Sequence, residues 1–113
     1  NPPTRPGRII NCPLPPGSGS DAFRAVVQQQ WLPALETFAP QLLLISAGFD
    51  AHGADDMSHL WFTTADYAWV TQAACGIADR HAQGRIVSTL EGGYDLRSLA
   101  ASAAAHIERL VFA

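Results

Sequence analysis

Leu42-Leu43-Leu44-Ile45-Ser46-Ala47-Gly48-Phe49-Asp50 is the stretch on which the fold turns. Its first four residues are continuously apolar, the pattern of a strand covered on both faces rather than one with a wet side. The run passes into Ser46-Ala47-Gly48-Phe49-Asp50, so a carboxylate stands directly beyond an apolar strand. In that position an unpaired charge is costly, and a metal, a cation or nearby backbone N–H groups are its usual partners. The metal and capping readings both stand at this point. Asp50 and His52, two apart in an extended segment, would share a face and could themselves ligate a metal.

On the N-terminal side, Phe23, Val26, Val27, Trp31, Leu35 and Phe38 recur three to four residues apart. This spacing predicts a helix with one apolar face, capped by Ser20 or Asp21 and kinked by Pro33. Its aromatic residues are expected in the core. Before it, Arg8-Ile9-Ile10-Asn11 reads as a short strand, closed by the Pro-, Gly- and Ser-rich segment 12–20, which cannot continue a sheet ladder.

On the C-terminal side, Thr63 and Asp66 form a capping-box start for a helix whose apolar face is Tyr67, Val70, Ala74, Ile77 and Ala78. Gly84 supplies its stop. Arg85 to Leu90 reads as a further strand, followed directly by Glu91-Gly92-Gly93-Tyr94 and a helix bearing Leu96, Leu99, Ala103, Ile107 and Leu110. The order is βαβαβα, which implies an α/β fold with a parallel sheet, right-handed crossovers and helices on both faces. In such a sheet, ligands collect beyond the carboxyl ends of the strands. Both Asp50 and Tyr94 fall there. Gly92 and Gly93 allow a sharp turn, leaving Tyr94 either as a phenol facing a substrate oxygen or as a half-buried aromatic after a turn.

With 113 residues, 48% of them hydrophobic and 15% charged, the chain suits one domain, 1–113. A core of that size has little margin if a neighbouring layer is missing. Seven Lys and Arg against ten Asp and Glu, with no basic stripe, argue against direct binding of nucleic acid. No apolar run is long enough to span a bilayer. Cys12 and Cys75 match no disulfide or CxxC pattern and read as small buried residues in a reducing compartment, so a cytoplasmic location is expected. His59, His81 and His106 read as structural, and Gly17-Ser18-Gly19 matches neither phosphate-loop pattern.

Three segments then resemble one family. Asn11-Cys12-Pro13-Leu14-Pro15-Pro16-Gly17 is similar to an NxPL-type strand and loop, Leu44 to His52 to the SAGFDA segment, and Leu90 to Leu96 to the LEGGY motif of the histone deacetylase superfamily. The form is that of class II and bacterial deacetylase-like amidohydrolases and acetylpolyamine amidohydrolases. The resemblance covers the chain almost end to end. It implies a three-layer α/β/α, arginase/deacetylase-like fold, of which these residues are the C-terminal segment of the catalytic domain. It also implies a zinc ion held by two aspartates and a histidine, with Asp50 matching the last aspartate. Tyr94 matches the catalytic tyrosine, Gly92 and Gly93 shape the substrate pocket, and Met57 lies on the loop lining the substrate channel. The implied substrates are acetyl-lysine or acetylated amines and polyamines.

The family's Asp-x-His and paired active-site histidines have no counterpart in these 113 residues, so the implied partner is the upstream part of the same catalytic domain. Asp55-Asp56-Met57 also departs from the family pattern, in which a proline commonly follows the first aspartate. That affects the shape of the substrate loop. One carboxylate does not hold a zinc ion, which normally takes three or four protein ligands. Taken alone, the chain is expected to be a non-catalytic α/β fragment. The paired-metal clusters of the arginase relatives are not matched.

Overall fold

The computed structural model describes residues 9–48, 62–93 and 95–112. Its elements run α1 (Ser20–Val26), a π-helical turn (Val27–Trp31), α2 (Leu32–Phe38), β1 (Leu43–Gly48), α3 (Thr64–His81), β2 (Ile86–Gly92) and α4 (Leu96–Phe112). The predicted α/β class with parallel pairing is what forms: β1 and β2 run parallel, in register from Leu43 opposite Ile86 to Ala47 opposite Leu90. The expected first strand does not form. Residues 9–11 have no regular structure, and Ile9 and Ile10 are exposed. Among the described residues no strand lies beside them, so Ile9 and Ile10 have no ladder to join.

The helix predicted from Phe23 to Phe38 is present, but it widens ahead of Pro33. The Leu32 N–H reaches the Val27 carbonyl, five residues back. Proline has no N–H to give and its ring crowds the preceding turn, so a π-turn there relieves the clash expected to kink the helix. The cap differs from expectation too. Gly19 is the N-cap, and Ser20 turns its hydroxyl to Asp66 instead. At the other end, Ala39 adopts a left-handed conformation and closes the helix onto the Leu35 carbonyl.

The predicted capping box opens α3. Thr63 Oγ1 accepts the Asp66 N–H, and the Asp66 carboxylate accepts the Thr63 N–H at 2.9 Å. The stop is also as expected: Gly84, at a φ of 76°, and Ala82 both direct their N–H groups to the Ala78 carbonyl. The core gathers Phe23, Val27, Ala47, Phe62 and Tyr67, with Ile45, Val70 and Leu99 packed against it. Phe23 lies 4.3 Å from Phe62, centroid to centroid.

Two expectations are corrected here. Trp31 and Phe38 are exposed rather than in the core, and with Leu35 they line an open apolar groove of about 810 Å³ along β1. β1 is also not covered on both faces among the described residues. Its exposure alternates, with Ile45 half-buried and Ala47 buried on one face and Leu44 70% exposed on the other. Val87, opposite Leu44, is exposed as well. The described helices pack against a single face, so among the described residues no layer lies over the second.

Candidate active site at the carboxyl ends of the parallel strands

The register of the sheet brings the two motif-bearing strand ends together. Gly48 at the end of β1 stands opposite Gly92 at the end of β2. The pairing shifts between Ala47 and Gly48, so Glu91 is an extra residue on β2. Such a bulge changes the side-chain phase on one strand and re-aims the residues beyond it. Asp50 comes two residues after Gly48, and Tyr94 two after Gly92.

Asp50, Met57 and Tyr94 themselves lie outside the described residues, as do His52 and His59. Of the predicted site, Gly92 and Gly93 are described. Gly92 ends the strand, and Gly93 has a φ of 141°, a conformation that a residue with a Cβ adopts only under strain. That is a direct reason for glycine immediately before Tyr94. Among the described residues no group of three or more His, Cys, Asp and Glu could hold a metal ion.

Around the site the structure gives three residues partners that the sequence did not show. His106 is buried on α4 and joins three elements: Nδ1 lies 2.7 Å from Thr71 Oγ1 on α3, and Nε2 lies 2.8 Å from Ser88 Oγ on β2. Thr71 spends its hydroxyl hydrogen on the Tyr67 carbonyl, at 2.7 Å. It therefore accepts from His106, whose proton sits on Nδ1, and in the neutral ring Nε2 accepts from Ser88. Burial pushes the His106 imidazole below its usual pKa. Periodicity alone placed His106 on the helix, but nothing local pointed to partners 18 and 35 residues away.

Asp66 is the second such residue. Fully buried, it accepts from Ser20 Oγ, Arg24 Nε at 2.9 Å, the Thr63 N–H and the Thr63 hydroxyl at 3.1 Å. Burial works to raise its pKa, yet the hydrogen bonds from Ser20, Thr63 and Arg24 outweigh it and hold the carboxyl below the usual range. Arg24 also stacks 5.0 Å from the Trp69 ring. On the far side, Glu36 of α2 accepts from His81 and Arg80 of α3, and these bonds hold its carboxyl low.

Asp95 is the third. Its Oδ2 accepts the Ser98 N–H at 2.8 Å, and its carbonyl accepts the Leu99 N–H at 2.8 Å, which makes it the N-cap of α4. An aspartate just ahead of an apolar-periodic run is a helix-start signal that could have been read from the sequence. Of the two cysteines, Cys75 is buried as expected and Cys12 is half-buried, and both are free thiols. No helix among the described residues is long and apolar enough to cross a membrane.

Comparison with known proteins agrees with this arrangement. A family model for the histone deacetylase domain matches residues 4–110. The chain is 43% identical over 98 residues to histone deacetylase 14, chloroplastic, of Arabidopsis thaliana, covering 87% of this chain and 23% of that protein. It is 41% identical over 88 residues to the histone deacetylase-like amidohydrolase of Pseudomonas aeruginosa, covering 78% and 23%. In structure it matches the histone deacetylase Clr3 with a TM-score of 0.84 and 34% identity, over 94% of this chain and 17% of that one. The HDA15 HD domain matches with a TM-score of 0.78 and 36% identity, over 85% and 26%. The chain thus spans about a quarter of the length of these two curated relatives. A domain match over nearly all of its residues, on the fold those relatives share, means that the chain belongs to the histone deacetylase family.

Proposed function

We propose that these residues are the C-terminal segment of the catalytic domain of a zinc-dependent amidohydrolase that removes acetyl groups from acetyl-lysine or from acetylated amines and polyamines. The observation that carries the reading is the pairing of Gly48 with Gly92, which sets the two motif-bearing strand ends side by side at the ligand-binding edge of a parallel sheet. The deacetylase and amidohydrolase names of the relatives support the same chemistry.

In this reading Asp50 is one ligand of the zinc, and the remaining ligands come from the upstream part of the same domain. The described residues do not by themselves make a metal site. When bound, the ion would polarise the amide carbonyl and a water. What this chain contributes directly is the Tyr94 phenol, which donates a hydrogen bond to the carbonyl oxygen as negative charge develops on it. Gly92 and Gly93 shape the pocket beneath the amide, and Met57 lines the approach. The two free thiols, one of them buried, favour a reducing compartment such as the cytoplasm.

In the complete domain, Tyr94→Phe should lower turnover by roughly 10²- to 10³-fold with the fold intact, the usual worth of one oxyanion donor. Near-normal activity would remove the assignment. A second reading applies to the chain on its own: among the described residues one sheet face is uncovered and no ligand cluster forms, which supports a non-catalytic fragment. Titration calorimetry of the 113 residues with zinc should then show no tight binding.

A further inference from the structure

β2 closes at Gly92 and α4 opens at Leu96, so only Gly93, Tyr94 and Asp95 join them. The residues on either side of Tyr94 each take a particular conformation. On one side is Gly93, at a φ of 141°. On the other is Asp95, which caps α4 through its side chain to the Ser98 N–H and through its carbonyl to the Leu99 N–H and, at 3.2 Å, the Ser98 hydroxyl.

α4 cannot slide along β2 without breaking the bond between His106 and Ser88, and the same ring ties the helix to Thr71 of α3. With the body of the helix held against the strand, the start of its first turn decides what geometry the three-residue connection must satisfy. Asp95 sets that start. An N-cap residue satisfies an orphan N–H of the first turn, and losing its side chain lets the turn fray or begin at a different residue. In a connection this short, such a shift falls on the neighbouring residue.

We propose that Asp95 is a positioning residue for Tyr94: its cap fixes the first turn of α4 and thereby holds the phenol where it can meet the substrate oxygen. This rests on the reading of Tyr94 as that donor. Small displacements of a catalytic group cost rate far more than they cost stability, which separates the proposal from a merely stabilising cap.

The test is kinetic, in the complete catalytic domain, with an N-acetyl-lysine amide as substrate. Asp95→Ala should lower kcat by roughly ten-fold or more, with KM changed less than about two-fold. Asp95→Asn, which keeps the cap, should recover kcat to within about three-fold of the parent. Ala101→Gly, on an exposed position of α4, weakens the same helix away from the connection and should lower Tm by a similar amount while leaving kcat unchanged.

The proposal is overturned if Asp95→Ala keeps kcat within about two-fold, if Asp95→Asn is as impaired as Asp95→Ala, or if Ala101→Gly loses as much kcat. Should Asp95→Ala fail to fold, Asp95→Thr, a weaker cap, takes its place under the same criteria. Tyr94→Phe in the same series separates the two failures. If it stays active, the reading of Tyr94 fails and this proposal with it; if it is inactive while Asp95→Ala is not, only the role of Asp95 fails.

Discussion

Removing the Asp66 carboxylate should be among the most damaging single changes outside the site. Asp66 is fully buried and takes hydrogen bonds from Ser20, Arg24 and both the N–H and hydroxyl of Thr63, so it closes the capping box of α3 and locks α1 against it. Asp66→Ala deletes half of that box and leaves Ser20 and Thr63 facing a void. Arg24, whose side chain is 37% exposed, recovers part of its loss by turning to water. Together these give about 3 kcal/mol, at the lower end of the range for a wholly buried pair. For a chain of this length that is a drop in Tm of roughly 15 °C. Asp66→Asn keeps the shape and one acceptor oxygen, but its amide nitrogen then faces a donor and the charge-assisted bond to Arg24 is lost, so it should cost about 2 kcal/mol. Urea unfolding followed by circular dichroism at neutral pH measures both. A midpoint for Asp66→Ala corresponding to a loss below about 0.5 kcal/mol, the level of an ordinary surface change, would refute the reasoning. The sign with pH is also set. The folded pKa lies below the ordinary aspartate value, so this stabilisation is present above the unfolded pKa and disappears as pH falls through the folded one.

Two further perturbations probe the elements around the strand ends. His106 is held neutral by burial, so the unfolded chain takes up its proton first. Stability should be complete above the unfolded pKa, about 6.5, and should fall as pH drops below it. Unfolding midpoints between pH 8 and pH 5 should show this decline, and His106→Gln, which cannot titrate, should flatten it. Gly93→Ala forces a Cβ into a φ of 141°, at a cost of about 1–3 kcal/mol. The strain arises beside Tyr94, so the complete domain should lose turnover even at temperatures where circular dichroism still shows it folded.

Much of the architecture was legible because it is written in local patterns. The capping box of Thr63 and Asp66, the stop at Gly84 and the parallel pairing implied by alternating strands and helices all formed as read. The cap and the stop depend on residues within a turn or two of one another, and the pairing on the order of the elements. What escaped depends on the third dimension. Residues 9–11 looked like a strand, but among the described residues no strand lies beside them to pair with. Trp31 and Phe38 kept helical spacing yet ended on a groove, because their neighbours on β1 leave that side open. The extra residue at Glu91, which decides how the β2 end faces the β1 end, has no signature in a run that reads simply as strand followed by glycines. The same holds for His106, whose two partners come from other elements.

The apolar run Leu42 to Ile45 reads as a strand for two covered faces, while the described residues cover one. These observations fit a single physical account. A two-stranded sheet is marginal by itself, and exposing Leu44 and Val87 on its open face forgoes much of the burial that would stabilise it. The chain covers only 17% of Clr3, so a relative of this kind has ample further chain from which a second layer can be drawn. If, as proposed, an upstream part of the domain supplies that layer, it would cover this face and bring the proposed metal ligands to the strand ends in one step. Completing the core and completing the active site are then the same event, because Asp50 and Tyr94 lie just past the ends of the very strands whose second face that layer would bury.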